Sequence, residues 1–368
     1  MRKASYIMMA CVMLTVQVCM GQAASKGAGR YRMLQGTIDK YPVTMHLYDF
    51  NGQWMGSYSY DRVGQPMSFI SMDTLKDGTV SLDVYRGDNS ESFRMSPTAD
   101  GLEGNWKKDP KSQPLRVSLK DVKPLVPMRL IHQSERVAHR PANPESPGCS
   151  FEATAVWPEG STPTAEFVKR QVRASLDEKA AGSLAPEALI GNMKKKYIDD
   201  CKAEAKNAKE EELREMPSMY SRDIVHRVTV NHQSGDFLCL EDMEWEYSGG
   251  AHGNGYSTYR ILDLKNQKRL GMKDLFTPNG IKALPKLIEK RFRIQYGLKP
   301  GQSLKDAGLF ENRIEKATEN VYLTAKGVVF SYTAYEIGPY AMGPIEIFVP
   351  YTELKPHLQP GFAKRVGA

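Results

Sequence analysis

Between residues 31 and 120 apolar and polar side chains alternate in short runs separated by turn residues. Met45, Leu47 and Phe50 mark one run, Tyr58 and Tyr60 the next, Leu82 and Val84 another. A period of two is the mark of strands that bury one face. The pattern predicts strands at 31–39, 42–50, 53–60, 65–72, 79–86, 90–95, 101–107 and 114–120. Asn51-Gly52, Asp77-Gly78, Gly87-Asp88-Asn89 and Ala99-Asp100-Gly101 fall between them, as hairpin turns require. Short antiparallel strands in such succession predict an up-and-down β-meander, small and barrel-like, because closure removes exposed edges. A barrel of this size either fills with its own side chains or holds one small apolar ligand.

The period then changes. Asp121-Val122-Lys123-Pro124-Leu125-Val126-Pro127 reads as a stiff linker, since its two prolines suit neither a helix interior nor a central strand. Strands are predicted at 128–139 and 150–157, joined by the loop Pro141 to Pro147. Thr162-Pro163 then caps a helix carrying Phe167, Val168, Val172 and Leu176 on one stripe. A longer helix begins near Pro186, with Leu189, Met193, Tyr197 and Cys201 four residues apart, and runs into a charged continuation over 202–215. Strands return at 220–232, 236–247 and 256–264, followed by a helix at 280–296 that Pro285 should start or kink. A hairpin of 319–324 with 328–336, a last strand at 345–350 and a terminal helix capped by Thr352 complete the pattern. Strand pairs interrupted by helices, without strict βαβ alternation, predict an α+β class with an antiparallel sheet. The segments are thus 24–120 (β-meander), 121–127 (linker), 128–360 (α+β) and 361–368 (tail).

Residues 1–23 stand apart: Arg2 and Lys3, an apolar stretch from Ile7 to Val18, and the small-x-small triplet Gly21-Gln22-Ala23 read as an export leader. This predicts an exported protein, periplasmic or extracellular, without a membrane-spanning segment, the apolar run being shorter than the ~20 residues a span needs. Lipid attachment at Cys19 is the alternative, although Val16-Gln17-Val18 departs from the leucine and small residues that normally precede such a cysteine. Loss of the leader lowers the net charge from +7 to +5, spread along the chain. With no basic patch and no recognition motif, nucleic acid is excluded as a partner. Cys149, Cys201 and Cys239 remain, which allows one disulfide with a leftover thiol, or three small buried hydrophobes.

Candidate chemistry centres on Glu244-Trp245-Glu246-Tyr247-Ser248-Gly249-Gly250-Ala251-His252-Gly253-Asn254-Gly255, a strand running into a glycine-crowded turn around one histidine. Alternation over 236–247 places Phe237, Cys239, Glu241, Met243, Trp245 and Tyr247 on the core face and Asp242, Glu244 and Glu246 in a row on the other. Carboxylates two apart on a strand face lie ~7 Å from one another, within the range of an inverting glycosidase pair. A hydrolase would use His252 with Glu244 or Glu246; a structural His252 would fix the turn by hydrogen bonding. His226 and His232 share a strand face ~20 Å apart, too far to bind one metal ion. Neither a nucleophile elbow nor a phosphate or dinucleotide loop is present, so no cofactor is predicted. The loop 337–344 sets Tyr340 and Met342 among glycines and prolines, which suits a partner-binding loop.

Four motifs occur in order: Tyr247-Ser248-Gly249-Gly250-Ala251-His252-Gly253-Asn254; Ile261-Leu262-Asp263-Leu264 with Lys273-Asp274-Leu275-Phe276; Tyr335-Glu336-Ile337-Gly338-Pro339-Tyr340-Ala341; and Val349-Pro350-Tyr351-Thr352-Glu353-Leu354. Over 126–360 the chain resembles an uncharacterised exported bacterial domain family. Its relatives include the extracellular half of a lysozyme-sensing anti-sigma factor and an accessory domain of a peptidoglycan deacetylase. The resemblance implies an α+β fold and a cell-envelope role, and it carries over no catalytic residue. The expectation is an exported, non-enzymatic binding module with a protein such as lysozyme or peptidoglycan fragments as partner, and with His252, Asn254, Asp242, Glu244, Glu246 and Tyr340 as binding residues. Because lysozyme is basic, a positive chain would need a local acidic face to bind it, and the carboxylate row would supply one.

Overall fold

Alternation in the first third does produce a meander: β1 (Gly29–Ile38), β2 (Tyr41–Phe50), β3 (Gln53–Tyr60), β4 (Met67–Ser68), β5 (Ser71–Thr74), β6 (Val80–Arg86), β7 (Asn89–Pro97), β8 (Gly101–Lys107) and β9 (Leu115–Val122). The computed structural model describes residues 29–50, 53–69, 71–86, 89–143, 145–177 and 184–368; the expected leader, Cys19 and the turns Asn51-Gly52 and Gly87-Asp88 lie outside them. The strand expected at 65–72 is two short pieces, β4 and β5. Strand order is β4-β3-β2-β1-β9-β8-β7-β6-β5, antiparallel throughout. The sheet rolls until β3 touches β5, where Trp54 Nε1 donates to Thr74 Oγ1 at 2.9 Å. Among the described residues no ladder joins those two strands, so the expected barrel is a rolled sheet that does not close. Its interior is packed with Leu34, Met45, Leu47, Tyr58, Leu82 and Phe93, each fully buried. A small-ligand chamber, one of the two outcomes foreseen for a barrel, is therefore replaced by side chains.

The sheet does not stop at the linker. Gly29 and Arg30 pair with Leu130 and Arg129 of β10 (Met128–Ala138), while Met33–Ile38 pair with β9 on the same edge. From β10 the sheet runs through β11 (Gly148–Pro158), β12 (Arg222–Ser234), β13 (Phe237–Tyr247), β14 (Asn254–Asp263) and β15 (Lys268–Leu270). β11 and β12 are parallel, because the chain between them crosses over through α1 (Pro163–Leu176), α2 (Pro186–Glu204) and α3 (Glu210–Glu215). Thr162 Oγ1 accepts from Ala165 N at 3.1 Å and starts α1 where the threonine-proline pair predicts. Phe167, Val172, Ile190 and Ile198 cover Ala155, Val228, Leu238 and Leu240 on one sheet face. A Cys149–Cys201 disulfide ties α2 to β11, and Cys239 is the buried free thiol.

The opposite face of β13 and β14 is covered by the C-terminal third. It comprises α4 (Met272–Leu275), α5 (Pro278–Gln295), a separate antiparallel sheet of β16 (Val321–Leu323), β17 (Gly327–Tyr332) and β18 (Ile345–Pro350), then α6 (Tyr351–Leu354) and α7 (Pro360–Val366). Phe237, Cys239 and Ile261 meet Leu284, Ile288, Phe292, Phe330 and Val349 there. Pro285 does not start α5: Thr277 caps it, with Gly280 N donating to Thr277 Oγ1 at 3.0 Å, and Pro285 sits inside. The expected tail 361–368 is mostly α7, held by buried Phe362 against Phe237 and by Arg365 on Asp236 and Asp263. Thr352 lies within α6, which Pro350 precedes. The class is mixed α+β, with a large, mainly antiparallel sheet and a small second one. No described helix is long and apolar enough to cross a membrane.

Candidate functional site

The two faces of β13 are treated differently by the fold. Leu238 and Leu240 lie under the helices, and the row Asp242, Glu244 and Glu246 continues that face toward the strand end. Asp242 Oδ1 is 2.7 Å from His226 Nε2 and Asp242 Oδ2 is 4.0 Å from Arg260, whose guanidinium also donates to Ser175 Oγ at 2.7 Å. Glu244 accepts from Tyr256 Oη at 3.0 Å, and Glu246 is exposed opposite Asn254, likewise exposed. The row is thus divided among separate cross-strand partners. His226 and His232 do not share a face as expected: a bulge after Val230 shifts the register so that His226 pairs with Glu244 and His232 with Cys239.

The glycine turn follows from the packing of Trp245. A Cβ on Gly253 would lie 2.3 Å from Trp245 Cζ2, and Gly249 and Gly250 take φ of +91° and +95°. Tyr247 Oη closes the turn on Gly250 O at 2.9 Å. His252 is exposed, and its Nδ1–H donates to Gly253 O at 2.9 Å. Among the described residues no carboxylate pairs with it. Its ring stacks on Tyr340, with centroids 3.9 Å apart and planes 16° apart, and Tyr340 Oη donates to Gly253 O at 2.6 Å. Tyr340 stacks in turn on Tyr335 at 5.8 Å.

Of the six expected binding residues, the fold therefore joins His252 and Tyr340, which are far apart in sequence, and leaves the carboxylates on another face. Tyr335 was not foreseen as a site residue. It is 56% exposed with a φ of +70°, a conformation rare for a bulky side chain. Only its place in the run Tyr335-Glu336-Ile337-Gly338-Pro339-Tyr340 hinted at it. Beyond Tyr335 lies an open groove of about 260 Å³, lined by Phe310, Ile314, Tyr332, Glu336 and Ile337 among others.

On the other face of β13, alternation hides a second cluster. Glu241, assigned to the core face, meets Glu346 of β18 across the gap between the sheets. Tyr259 Oη lies 3.4 Å from Glu241 Oε1 and 3.1 Å from Glu346 Oε1; Ser257 Oγ donates to Glu241 at 2.7 Å and Tyr322 Oη to Glu346 at 3.2 Å. Burial, then the charge of Glu241, pushes the Glu346 carboxyl up to about 7. Burial likewise raises Glu241. The strand period puts Glu241 on the core face but gives no sign of its partner, which is over a hundred positions away.

A metal centre finds little support: among the described residues the group with suitable donors is His139 with Cys149 and Cys201, whose sulfurs are joined to each other.

Residues 273–352 match the model of a family described as a protein of unknown function, DUF3298. A solved member of the DUF3298 family from Bacteroides fragilis is similar in fold, with a TM-score of 0.59 at 23% identity over 66% of this chain and 99% of that one. A DUF3298 family protein from Pseudomonas aeruginosa aligns with a TM-score of 0.48 at 19% identity, covering 64% of this chain and 96% of that one. Comparison with curated proteins gives no match. Tyr322, Tyr335, Tyr340 and Glu346 lie within the matched segment, whereas Glu241 and His252 precede it. The segment that matches this model, called the DUF3298 domain below, is set against the end of the large sheet that bears the glycine-histidine turn.

Proposed function

We propose that the chain is an exported, non-enzymatic binding module of the cell envelope whose contact face is the ledge Tyr335–Tyr340–His252. The observation that carries this reading is Tyr335. A left-handed backbone on a large residue costs on the order of 1–3 kcal/mol and persists only where the surroundings enforce it. Here it sets an aromatic ring outward, in series with Tyr340 of the same loop and His252 of the glycine turn. Stacked rings with polar edges give large contact area at low entropic cost. The export leader and the family resemblance support the envelope setting.

A wall glycan is favoured over a basic protein such as lysozyme. Asp242 is engaged with His226 and Glu244 with Tyr256, so the row offers no continuous acidic face. The exposed Tyr335 ring at the end of the stack suits the apolar face of a sugar ring. Hydrolysis through His252 with Glu244 or Glu246 has no geometric support, because His252 bonds Gly253 O and stacks on Tyr340 while Glu244 bonds Tyr256. Immobilised muropeptides and immobilised lysozyme are the discriminating baits. Retention by muropeptides that is lost in Tyr340→Ala supports the proposal; retention by lysozyme alone, or by neither, refutes it.

A further inference from the structure

We propose that Glu241 and Glu346 form a proton-dependent latch that fastens the DUF3298-domain sheet to the large sheet. The latch is independent of whether the aromatic ledge binds a sugar.

The geometry is that of a hydrogen-bond chain needing one carboxyl proton. Glu241 projects from β13 and Glu346 from β18, and the single hydroxyl of Tyr259 on β14 reaches both. A hydroxyl has one proton to give and can accept as well. With Glu346 protonated, its O–H donates to Tyr259 Oη, and Tyr259 donates onward to Glu241. Ser257 Oγ and Tyr322 Oη serve the other positions from β14 and β16. With both carboxyls ionised, Tyr259 satisfies one of them and turns a lone pair to the other. The two negative charges then face each other across the seam.

Arg227 relieves that charge only in part. From β12, Arg227 approaches Glu241 but is held by Glu152 of β11 at 2.9 Å. From β13 itself, Asp242 adds negative charge near Glu241, and Cys239 is a buried neutral thiol. On β17, Ser331 lies opposite Glu346. From α5, Gln295 bonds the Glu346 backbone carbonyl, and Arg291 goes to Phe348 O and Glu353. Among the described residues neither carboxyl has an ion-pair partner. A second fastening of the seam, Asn320, does not titrate: its Oδ1 accepts from Tyr259 N at 3.0 Å and its Nδ2 donates to Ser257 O at 2.7 Å.

The raised position of Glu346, about 7 against 4.5 for the free side chain, agrees with this chain of bonds. A folded-state value above the unfolded one means that the folded protein holds the extra proton. The latch therefore contributes fully below about pH 4.5 and is lost as pH rises through about 7.

Hydrogen exchange of the full chain at pH 5.5 and pH 8.5, corrected for intrinsic rates, reads the seam directly. Peptides from β14, β16 and β18 are expected to lose protection roughly tenfold or more at the higher pH, one pK unit corresponding to a factor of ten. Glu346→Gln, which donates without titrating, is expected to abolish that loss, and Glu241→Gln to reduce it, while protection in the meander changes equally in all three proteins. Constant seam protection in the wild type, or the same loss in wild type and both variants, overturns the latch.

Discussion

Tyr335 and Gly253 show how single residues shape the site. Tyr335 in its left-handed conformation stores strain that glycine would not, while glycine adds freedom to the unfolded chain. Tyr335→Gly should therefore change unfolding free energy by no more than about 1 kcal/mol in denaturant titration, in contrast to its effect on binding. Gly253→Ala should behave otherwise. Its Cβ would fall 2.3 Å from the Trp245 ring, so overpacking should cost about 1–3 kcal/mol, and a wild-type midpoint would show that the ring moves aside freely. At this scale the sequence exposed the glycine cluster, His252 and Tyr340, because glycine and aromatic residues are conspicuous in a loop. It did not expose the backbone angle of Tyr335, which depends on Gly338 O accepting from its N–H, nor the pairing of Glu241 with Glu346.

Among elements, the bulge in β12 and the disulfide carry the largest consequences. The bulge turns His232 to the face of Cys239, and Tyr48 of β2 takes up the backbone there, accepting from Val230 N and donating to Val230 O, both at 2.8 Å. His232 then lies near His46, which is bonded to Tyr31 Oη at 2.8 Å, and Gln233 bonds the same hydroxyl at 2.7 Å. Burial holds His46 down at about 3 and His232 at about 4, below the ordinary 6.5. In this case the unfolded chain binds the protons. Their contribution is present above about pH 6.5 and is lost as pH falls toward 4, so the urea midpoint should drop across that window and drop less in His232→Asn. An equal drop in both proteins would assign the loss to other groups. Cys201→Ser opens a loop spanning 52 positions and should cost about 2–4 kcal/mol, measured under non-reducing conditions. Strand and helix positions were legible because period and caps are local. The bulge was not, since it inserts one residue without a glycine or proline to mark it.

Across the whole molecule, one sheet runs from the rolled meander across β1 to β10 and on to the glycine turn, and the segment that matches the DUF3298 model packs over its far end. The two-proline segment 121–127 was legible as a break in pattern, yet its chemistry gave no sign that β1 would bridge β9 and β10. The α+β class followed from alternating periods. Open rather than closed rolling depends on the short β4 and β5 at the seam, where the alternation over 65–72 showed no interruption. The ledge draws on both ends of this architecture, His252 from the large sheet and Tyr335 with Tyr340 from the domain packed against it.

Calorimetric titration of soluble muropeptides into the wild type and into Tyr335→Gly, with unfolding of each measured in the same buffer, tests the binding ledge most directly. Saturable binding by the wild type, weakened at least about tenfold in a variant of unchanged stability, is the expected outcome for a ring that acts as a contact hot spot. Absence of wild-type binding, or equal affinity in the two proteins, would contradict it.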